Sequence, residues 1–164
     1  LIRYKARMVG TLGHASSFRF LSSKHISSGE GGIVLTDDSR LADRIRRVNS
    51  LGYAGVGAKQ GRITKRDIQD PDYSRHVSMG WNYRMPELCA AVALAQVENI
   101  EALVEKRIAA AGILDEAVRS CSWLSPQKVG SDFKNTYWSY VVRLDHPNVA
   151  WKAFRDKFMQ LGGD

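Results

Sequence analysis

The most informative segment of the chain reads Ser16-Ser17-Phe18-Arg19-Phe20-Leu21-Ser22-Ser23-Lys24-His25-Ile26-Ser27-Ser28-Gly29-Glu30-Gly31-Gly32. Phe18 and Phe20 are two positions apart, which is typical of a strand with one buried face. The glycines at the end of the segment lead into Ile33-Val34-Leu35, a short apolar run before Asp37 and Asp38. That run predicts a second strand, covered on both faces in an α/β sheet. We therefore expect Lys24 to lie on the connection between two strands.

Lys24 is the residue on which a functional interpretation depends. An amine held on a turn, among hydroxyls and backbone N–H donors, can form a Schiff base with an aldehyde cofactor. The more common alternative is a solvated surface lysine beside a loop. The glycines after it, Gly29, Gly31 and Gly32, permit positive φ angles and therefore suit either an anion-binding nest or a tight turn. The turn is the commoner of the two, and Glu30 between the glycines is assigned no chemistry.

A second motif, Gly80-Trp81-Asn82-Tyr83-Arg84-Met85-Pro86-Glu87-Leu88, follows later in the chain. In this order, the two motifs resemble those of the DegT/DnrJ/StrS family of pyridoxal-phosphate-dependent sugar aminotransferases. The resemblance runs from about Ser16 to the C-terminus. It implies an α/β protein with a partial aspartate-aminotransferase-like fold. The chain would comprise the end of the large-domain sheet, a long linking helix and the start of a small α+β domain.

The resemblance assigns roles to particular residues. Lys24 matches the lysine that holds the cofactor, pyridoxal 5′-phosphate, and that then moves a proton between the substrate carbon and the cofactor's C4′. Some relatives carry histidine at this position and catalyse dehydration, so Lys24 favours transamination. Asn82 matches an asparagine that reaches across a dimer interface to the cofactor phosphate, and its amide can donate without adding charge. The alternative for Asn82 is a turn residue that caps the helix beginning near Pro86.

Four further residues are candidates for the same site. Arg84 can bind a donor or substrate carboxylate through a two-pronged contact, or form a structural ion pair with Glu87. His76 and Tyr83 are close enough in sequence to line the same cleft, although single residues of these types are usually packing residues. Arg19 stands where the family usually has a serine that binds the cofactor phosphate. Arginine can contact phosphate as a stronger and bulkier partner, or clash with it.

The resemblance also implies substrates and partners. The parent enzyme would aminate a keto group on a nucleotide-linked sugar, with an amino acid, glutamate, as the donor. It would be a homodimer with shared active sites. Residues 1–23 contain no Asp or Glu, whereas the fold needs an acid against the pyridine nitrogen. We therefore expect an internal fragment that does not transaminate efficiently as an isolated polypeptide.

Composition excludes several classes of protein. A chain of 164 residues with 44% apolar content is long enough for one compact domain with a core. The net charge of +7 comes from scattered basic residues without a nucleic-acid-binding signature, so we expect no nucleic-acid partner. Cys89 and Cys121 lie far apart without a CxxC spacing, so we expect no metal site. No signal peptide or long apolar run is present, which predicts a cytoplasmic protein without a membrane partner.

Local patterns predict the remaining elements. A helix capped by Asp37, Asp38 or Ser39 should end at Gly52. Residues 53–79 are polar and turn-rich, which indicates a loop over an active site. Apolar residues then recur over residues 86–118, which predicts a long helix with a kink or break near Gly112. Aromatic and β-branched residues predict a strand over 136–144, and Trp151, Phe154, Phe158 and Leu161 predict a helix ended by Gly162.

From these elements we expect residues 1–118 to be the C-terminal part of a cofactor-binding large domain with its linking helix. Residues 119–164 would be the truncated start of a small domain. Two other functional classes stay open on the sequence. One is a non-catalytic relative with a regulatory or assembly role, to which Arg19 points. The other is a basic nucleic-acid-binding domain, whose DNA affinity would fall linearly with salt on logarithmic scales.

Overall fold

A computed structural model describes residues 1–56 and 64–163 of the chain. The elements in chain order are β1 (Arg3–Tyr4), β2 (Arg7–Met8), β3 (Ser16–Arg19), β4 (Gly32–Leu35), α1 (Ser39–Asn49), α2 (Lys65–Gln69), α3 (Glu87–Glu98), α4 (Ile100–Arg119), β5 (Leu124–Pro126), β6 (Phe133–Lys134), β7 (Val142–Leu144) and α5 (Trp151–Gln160). The chain forms two compact units. One is Arg7–Ile100, and the other combines Leu1–Ala6 with the described residues from Glu101 onward.

Strands β3 and β4 form the predicted pair around Lys24. They run antiparallel, and Phe18 lies opposite Ile33 while Arg19 lies opposite Gly32. The prediction of a strand covered on both faces was wrong for β4 in this structure, because Ile33, Val34 and Leu35 are all exposed. Among the described residues, no helix covers this two-stranded ribbon. Phe20, just beyond β3, is buried at 6% exposure.

Helix α1 begins where the acidic residues predict. The Asp38 carboxylate accepts hydrogen bonds from the backbone N–H groups of Arg40 and Leu41, at 2.8 and 3.1 Å. These bonds satisfy two of the donors that a helix N-terminus leaves without partners. The helix ends at Asn49, and the chain then turns through Leu51 and Gly52, both with positive φ. Gly52 follows the end of the helix as predicted.

The segment predicted as a loop, residues 53–79, contains a short helix. Thr64 and Asp67 form a capping box at the start of α2, in which each side chain bonds to the backbone N–H of the other residue. The hydrogen bond from the Thr64 backbone lowers the pKa of Asp67. Residues 57–63 of this loop, with Gly57, Lys59, Gly61 and Arg62, lie outside the described residues.

The predicted long helix is interrupted at Asn99, between α3 and α4, and the expected break near Gly112 was wrong. The Asn99 side chain donates a hydrogen bond to the Ala95 carbonyl at 2.9 Å, and its backbone leaves the helical conformation at ψ 8°. Such a local bond competes with the helical pattern. Gly112 lies inside α4 with no side chain or distant backbone within 4 Å of the position that a Cβ would occupy.

The strand predicted over residues 136–144 is reduced to β7, which pairs antiparallel with β5. Tyr137 has φ +48°, and its backbone N–H bonds to the Asn135 side chain at 3.2 Å. An asparagine turn of this kind is incompatible with an extended strand. The Tyr140 hydroxyl also donates to the Asp115 carboxylate on α4, which holds this segment on the helix.

The unit that contains α4 has a small core. Its most buried side chains are Val104, Ala111, Val118 and Thr136. Helix α5 packs through the Phe154 ring, which meets the Trp123 ring edge to face at a centroid distance of 5.8 Å. Gly162, with φ +94°, follows the helix as predicted. Among the described residues, no helix is long and apolar enough to cross a membrane.

Candidate active site

Lys24 lies on the connection between β3 and β4, and this connection is closed by its own backbone. The Phe20 N–H donates to the Gly31 carbonyl at 2.8 Å, and the Ser28 N–H donates to the Phe20 carbonyl at 3.1 Å. A tight turn brings the Lys24 N–H to the Leu21 carbonyl at 2.9 Å. Because Phe20 and Ser28 are buried, the base of the loop is fixed and Lys24 is half-buried on it.

Among the glycines after Lys24, Gly31 allows neighbouring side chains to approach the backbone closely. Gly31 has φ +141°, and a Cβ at this position would lie 2.5 Å from the Met85 methyl carbon and 3.1 Å from the Ser28 hydroxyl. No residue with a side chain fits there without displacing a neighbour. Gly29 has φ +82°, with nothing within 4 Å of its Cβ position. The contact to Met85 joins the Lys24 loop to the second motif.

Arg19 is at the end of β3, on the same ribbon as Lys24. Its guanidinium lies 3.9 Å from the Glu30 carboxylate, and both side chains are largely exposed. An exposed ion pair of this kind contributes about 0–1 kcal/mol. The pair therefore leaves Arg19 able to exchange Glu30 for another anion at small cost.

The second motif is held by the end of α1. The Tyr83 N–H donates to the Asn49 carbonyl at 3.0 Å, and the Leu51 N–H donates to the Trp81 carbonyl at 3.0 Å. Ser50 and Asn82 form an antiparallel bridge between these segments. The position of the Asn82 backbone is therefore set by the turn that ends α1.

Two glycines allow this pairing. A Cβ on Gly52 would overlap the Ser78 carbonyl oxygen, and a Cβ on Gly80 would overlap the Gly52 nitrogen. The two backbones thus lie closer together than side chains at these positions permit. Gly52 also has φ +74°. Both glycines are structural requirements for the placement of Asn82.

Asn82 does not act as a helix cap in this structure. Pro86 occupies the N-cap position of α3 and makes no side-chain capping bond. Among the hydrogen bonds of the described residues, none joins the Asn82 side chain to the first turn of α3. The side chain is exposed beside Trp81 and Tyr83, whose rings stack at 6.4 Å. This arrangement leaves its amide available to a ligand or a partner.

Arg84 and His76 meet at Tyr53, a residue that the sequence patterns did not single out. The Arg84 guanidinium lies over the Tyr53 ring, 5.9 Å from the centroid. The His76 ring is 4.8 Å from the same ring. The ion pairs of the described residues do not include one between Arg84 and Glu87, so the structural alternative for Arg84 finds no support.

The orientation of His76 is fixed by a hydrogen bond. Its Nδ1 atom lies 2.9 Å from the Leu51 carbonyl oxygen. A carbonyl oxygen only accepts, so Nδ1 must carry the proton, and in the neutral ring Nε2 is the acceptor. Tyr53 and His76 are also joined by an antiparallel bridge. The His76 ring is thus bonded to the backbone, and the backbones that carry the two rings are paired.

Arg75 also contacts Tyr53, beside His76 and Arg84, and the sequence patterns did not single it out. Its guanidinium donates a hydrogen bond to the Tyr53 hydroxyl at 2.9 Å, and its central carbon is 4.8 Å from the ring centroid. In the sequence, Tyr53 and Arg75 are 22 positions apart within a turn-rich segment. The sequence offers one hint that these two residues belong to the site. Arg75 stands next to His76, a predicted site residue, and Tyr53 follows Gly52 at the end of α1.

The structure thus places the predicted site residues in two groups. Arg19 and Lys24 are on the β3–β4 ribbon and its loop, whereas His76, Asn82, Tyr83 and Arg84 are on the segment paired with the end of α1. These donors fit a phosphorylated aldehyde, because an amine can bind an aldehyde and the amide and guanidinium groups can bind a phosphate. In the described ranges, no group of three or more His, Cys, Asp or Glu residues is arranged to hold a metal ion.

The sequence pattern of the DegT/DnrJ/EryC1/StrS aminotransferase family matches residues 2–161. The chain belongs to this family. The resemblance drawn from the two motifs is thereby confirmed. Among sequence relatives, GDP-perosamine synthase of Escherichia coli O157:H7 is 34% identical over 136 residues, which cover 83% of this chain and 33% of that enzyme. The chain spans about a third of the length of the curated relatives it matches.

Solved structures confirm the fold class. E. coli GDP-4-keto-6-deoxy-D-mannose-3-dehydratase with bound hydrated pyridoxal phosphate is similar with a TM-score of 0.80 and 18% identity, over 97% of this chain and 41% of that one. Helicobacter pylori PseC, an aminotransferase of pseudoaminic acid biosynthesis, gives a TM-score of 0.77 and 25% identity, over 98% of this chain and 40% of that one. The chain has part of the aminotransferase fold, and pyridoxal phosphate is the cofactor of its family.

Proposed function

We propose that this chain is part of a longer pyridoxal-phosphate-dependent enzyme that aminates a keto group of a nucleotide-linked sugar, with glutamate as donor. The observation that carries the proposal is Lys24, half-buried on a closed loop within a chain that matches an aminotransferase family over residues 2–161. The sequence relative described above is a GDP-perosamine synthase by name, so its product carries GDP. That relative supports the substrate class.

Pyridoxal phosphate, when bound, supplies an aldehyde for an amine and a ring that takes up electrons released at the substrate carbon. Lys24 supplies the amine that holds the cofactor. The same amine would also hold or move a proton at the substrate carbon. A lysine suits both tasks, because its unprotonated amine is a nucleophile and its stem is flexible.

The other residues bind and orient. We assign Asn82 to the cofactor phosphate through its amide, reaching across a homodimer interface to the partner's site. Arg84 binds a carboxylate of the donor, and His76 and Tyr83 line the same cleft. Arg19 takes the place of the family serine near the phosphate, and the weakness of its exposed contact to Glu30 at 3.9 Å makes this role feasible.

Exposed apolar surface supports a larger assembly. Helix α3 exposes Leu88, Val92, Leu94 and Val97, and Leu88 is 83% exposed. Helices with apolar residues on all sides are usually buried in larger proteins. We therefore place α3 against other parts of the whole enzyme or its dimer partner. The division into a large-domain part, residues 1–118, and a small-domain part, residues 119–164, remains part of this proposal.

One observation favours a second function, that of a relative that keeps the fold without catalysis. Arg19 replaces the family serine, and residues 1–23 supply no acid for the ring nitrogen. On the main proposal, the remainder of the whole enzyme supplies that acid, and the chain alone does not transaminate efficiently. An assay of keto-sugar amination by the whole enzyme separates these two functions, because only the main proposal predicts amination.

Absorbance tests the main proposal. Pyridoxal phosphate added to the whole enzyme should give the band of lysine-bound cofactor, and Lys24→Ala should abolish it. Lys106→Ala, on α4, is the matched control and should keep the band. No band with the unmodified enzyme would contradict the proposal, as would a band that survives in Lys24→Ala.

A further inference from the structure

Tyr53 brings two arginines together at one ring. The guanidinium carbons of Arg75 and Arg84 lie 4.8 and 5.9 Å from its centroid. A guanidinium over the face of an aromatic ring is attracted to it electrostatically. The described ion pairs give neither arginine an acidic partner. The site therefore concentrates positive charge without a protein carboxylate to balance it.

The arginines retain unused hydrogen-bond donors. A guanidinium has five N–H groups in a planar fork, and among the described residues the Arg75 guanidinium donates one hydrogen bond, to the Tyr53 hydroxyl. Both arginines are exposed. Both guanidinium carbons lie within 6 Å of one ring centroid, so an anion that reaches both would offset their mutual repulsion. Arginine forks match the geometry of carboxylate and phosphate groups.

The ring that carries the arginines is itself fixed. Tyr53 is bridged to His76 through the backbone, and the two rings lie 4.8 Å apart. The Ala54 N–H donates to the Arg75 carbonyl at 3.0 Å, so the backbones that carry Tyr53 and Arg75 are bonded to each other. Because its hydrogen bond to the Tyr53 hydroxyl holds the Arg75 fork, this fork loses less conformational entropy on binding than a mobile one.

We propose that Arg75 and Arg84, positioned by Tyr53, form one binding site for a ligand with two anionic groups. Two sources have this chemistry, namely a dicarboxylate amino donor and the diphosphate of a nucleotide-linked sugar. The inference rests on the proposed function for these biological ligands, and on Arg84 as a ligand-binding residue. Arg75 becomes a specificity-determining residue that distinguishes dianionic from monoanionic ligands.

Calorimetric titration of the cofactor-free whole enzyme tests the site. The probes are glutarate for a dicarboxylate, inorganic pyrophosphate for a diphosphate, and acetate for a monocarboxylate. Arg75→Gln should weaken binding of glutarate or pyrophosphate by about tenfold or more, because charge-assisted hydrogen bonds contribute about 1.5–3 kcal/mol. Arg75→Lys, which keeps the charge but not the fork, should give an intermediate loss.

A matched control separates the site from general electrostatics. Arg44→Gln removes the same charge from an exposed position on α1 and should change either affinity by less than about twofold. A loss confined to glutarate assigns the site to the donor, and a loss confined to pyrophosphate assigns it to the nucleotide. Loss of affinity for both glutarate and pyrophosphate supports a site that binds either kind of dianionic ligand.

Two results would overturn the proposal. One is equal weakening by Arg75→Gln and Arg44→Gln, and the other is binding of glutarate and pyrophosphate no tighter than that of acetate. An unchanged circular dichroism spectrum in Arg75→Gln shows that a loss of affinity does not come from misfolding. Since the titration uses no cofactor, its outcome is independent of the absorbance test of the main proposal.

Discussion

The methyl carbon of Met85 lies 2.5 Å from the position that a Cβ atom on Gly31 would occupy. This contact joins the loop that carries Lys24 to the motif that carries Asn82 and Arg84. The Ser28 hydroxyl borders the same position at 3.1 Å and bonds to the Glu30 carbonyl. The two groups of candidate site residues are therefore linked by packing at Gly31, where an added Cβ would displace the Met85 methyl group.

Replacement of Gly31 should destabilise the protein. Gly31→Ala combines a φ of +141° with overlap at Met85, so we expect the free energy of unfolding to fall by about 1–3 kcal/mol. Urea denaturation measures this change. Gly112→Ala is the control, because Gly112 is inside α4 with open space around it. That substitution should stabilise the protein by about 1 kcal/mol.

A double-mutant cycle tests whether the contact to Met85 causes part of the loss. Met85→Ala removes the overlapping methyl group and should recover part of the stability lost in Gly31→Ala. The coupling free energy should be at least about 0.5 kcal/mol, as is usual for residues in contact. Strict additivity of the two substitutions would show that backbone strain at Gly31 accounts for the whole effect.

The cap of α1 gives a prediction with a neighbouring control. Asp38→Ala removes an acceptor that bonds two backbone N–H groups, and we expect a loss of about 1 kcal/mol in urea denaturation. Asp37→Ala removes the same charge from an exposed position next to it and should change stability by less than about 0.5 kcal/mol. Equal losses in both variants would mean that charge, rather than the capping bonds, stabilises this helix end.

Tyr140 makes stability depend on alkaline pH. Burial, followed by the hydrogen bond to Asp115, raises the pKa of Tyr140 to about 12. Because the folded pKa exceeds the unfolded value of about 10, the protonated hydroxyl stabilises the fold fully below pH about 10. This contribution is lost as the pH rises toward 12.

Urea denaturation across this pH window measures the effect. The difference in unfolding free energy between the unmodified protein and Tyr140→Phe should be constant below pH about 10 and should shrink above it. Tyr83→Phe, at an exposed tyrosine, should show no such change. A difference for Tyr140→Phe that stays constant up to pH 12 would refute the role of this hydroxyl.

Local signals in the sequence predicted the elements whose ends are marked by capping residues or glycines. Asp38 marked the start of α1, and the glycines at 29–32 marked the turn into β4. These features act over a few residues, so they are visible without the fold. The family resemblance supplied the fold class and the cofactor.

Features that depend on distant residues were not visible in the sequence. Whether β4 is covered depends on what packs against it, and the break at Asn99 depends on one side-chain bond to Ala95 that competes with helix continuation. The turn at Asn135 prevents an extended strand over the first part of residues 136–144. Tyr53 and Arg75 meet only because the end of α1 pairs with residues 75–83.

The most direct test of the central claim is to identify which amine holds the cofactor. The whole enzyme is treated with pyridoxal phosphate, reduced with borohydride, digested with trypsin and analysed by mass spectrometry. Trypsin does not cleave after a modified lysine, so the cofactor mass should appear on the peptide of residues 20–40, uncut after Lys24. Modification at other lysines, with normal cleavage after Lys24, would contradict the account.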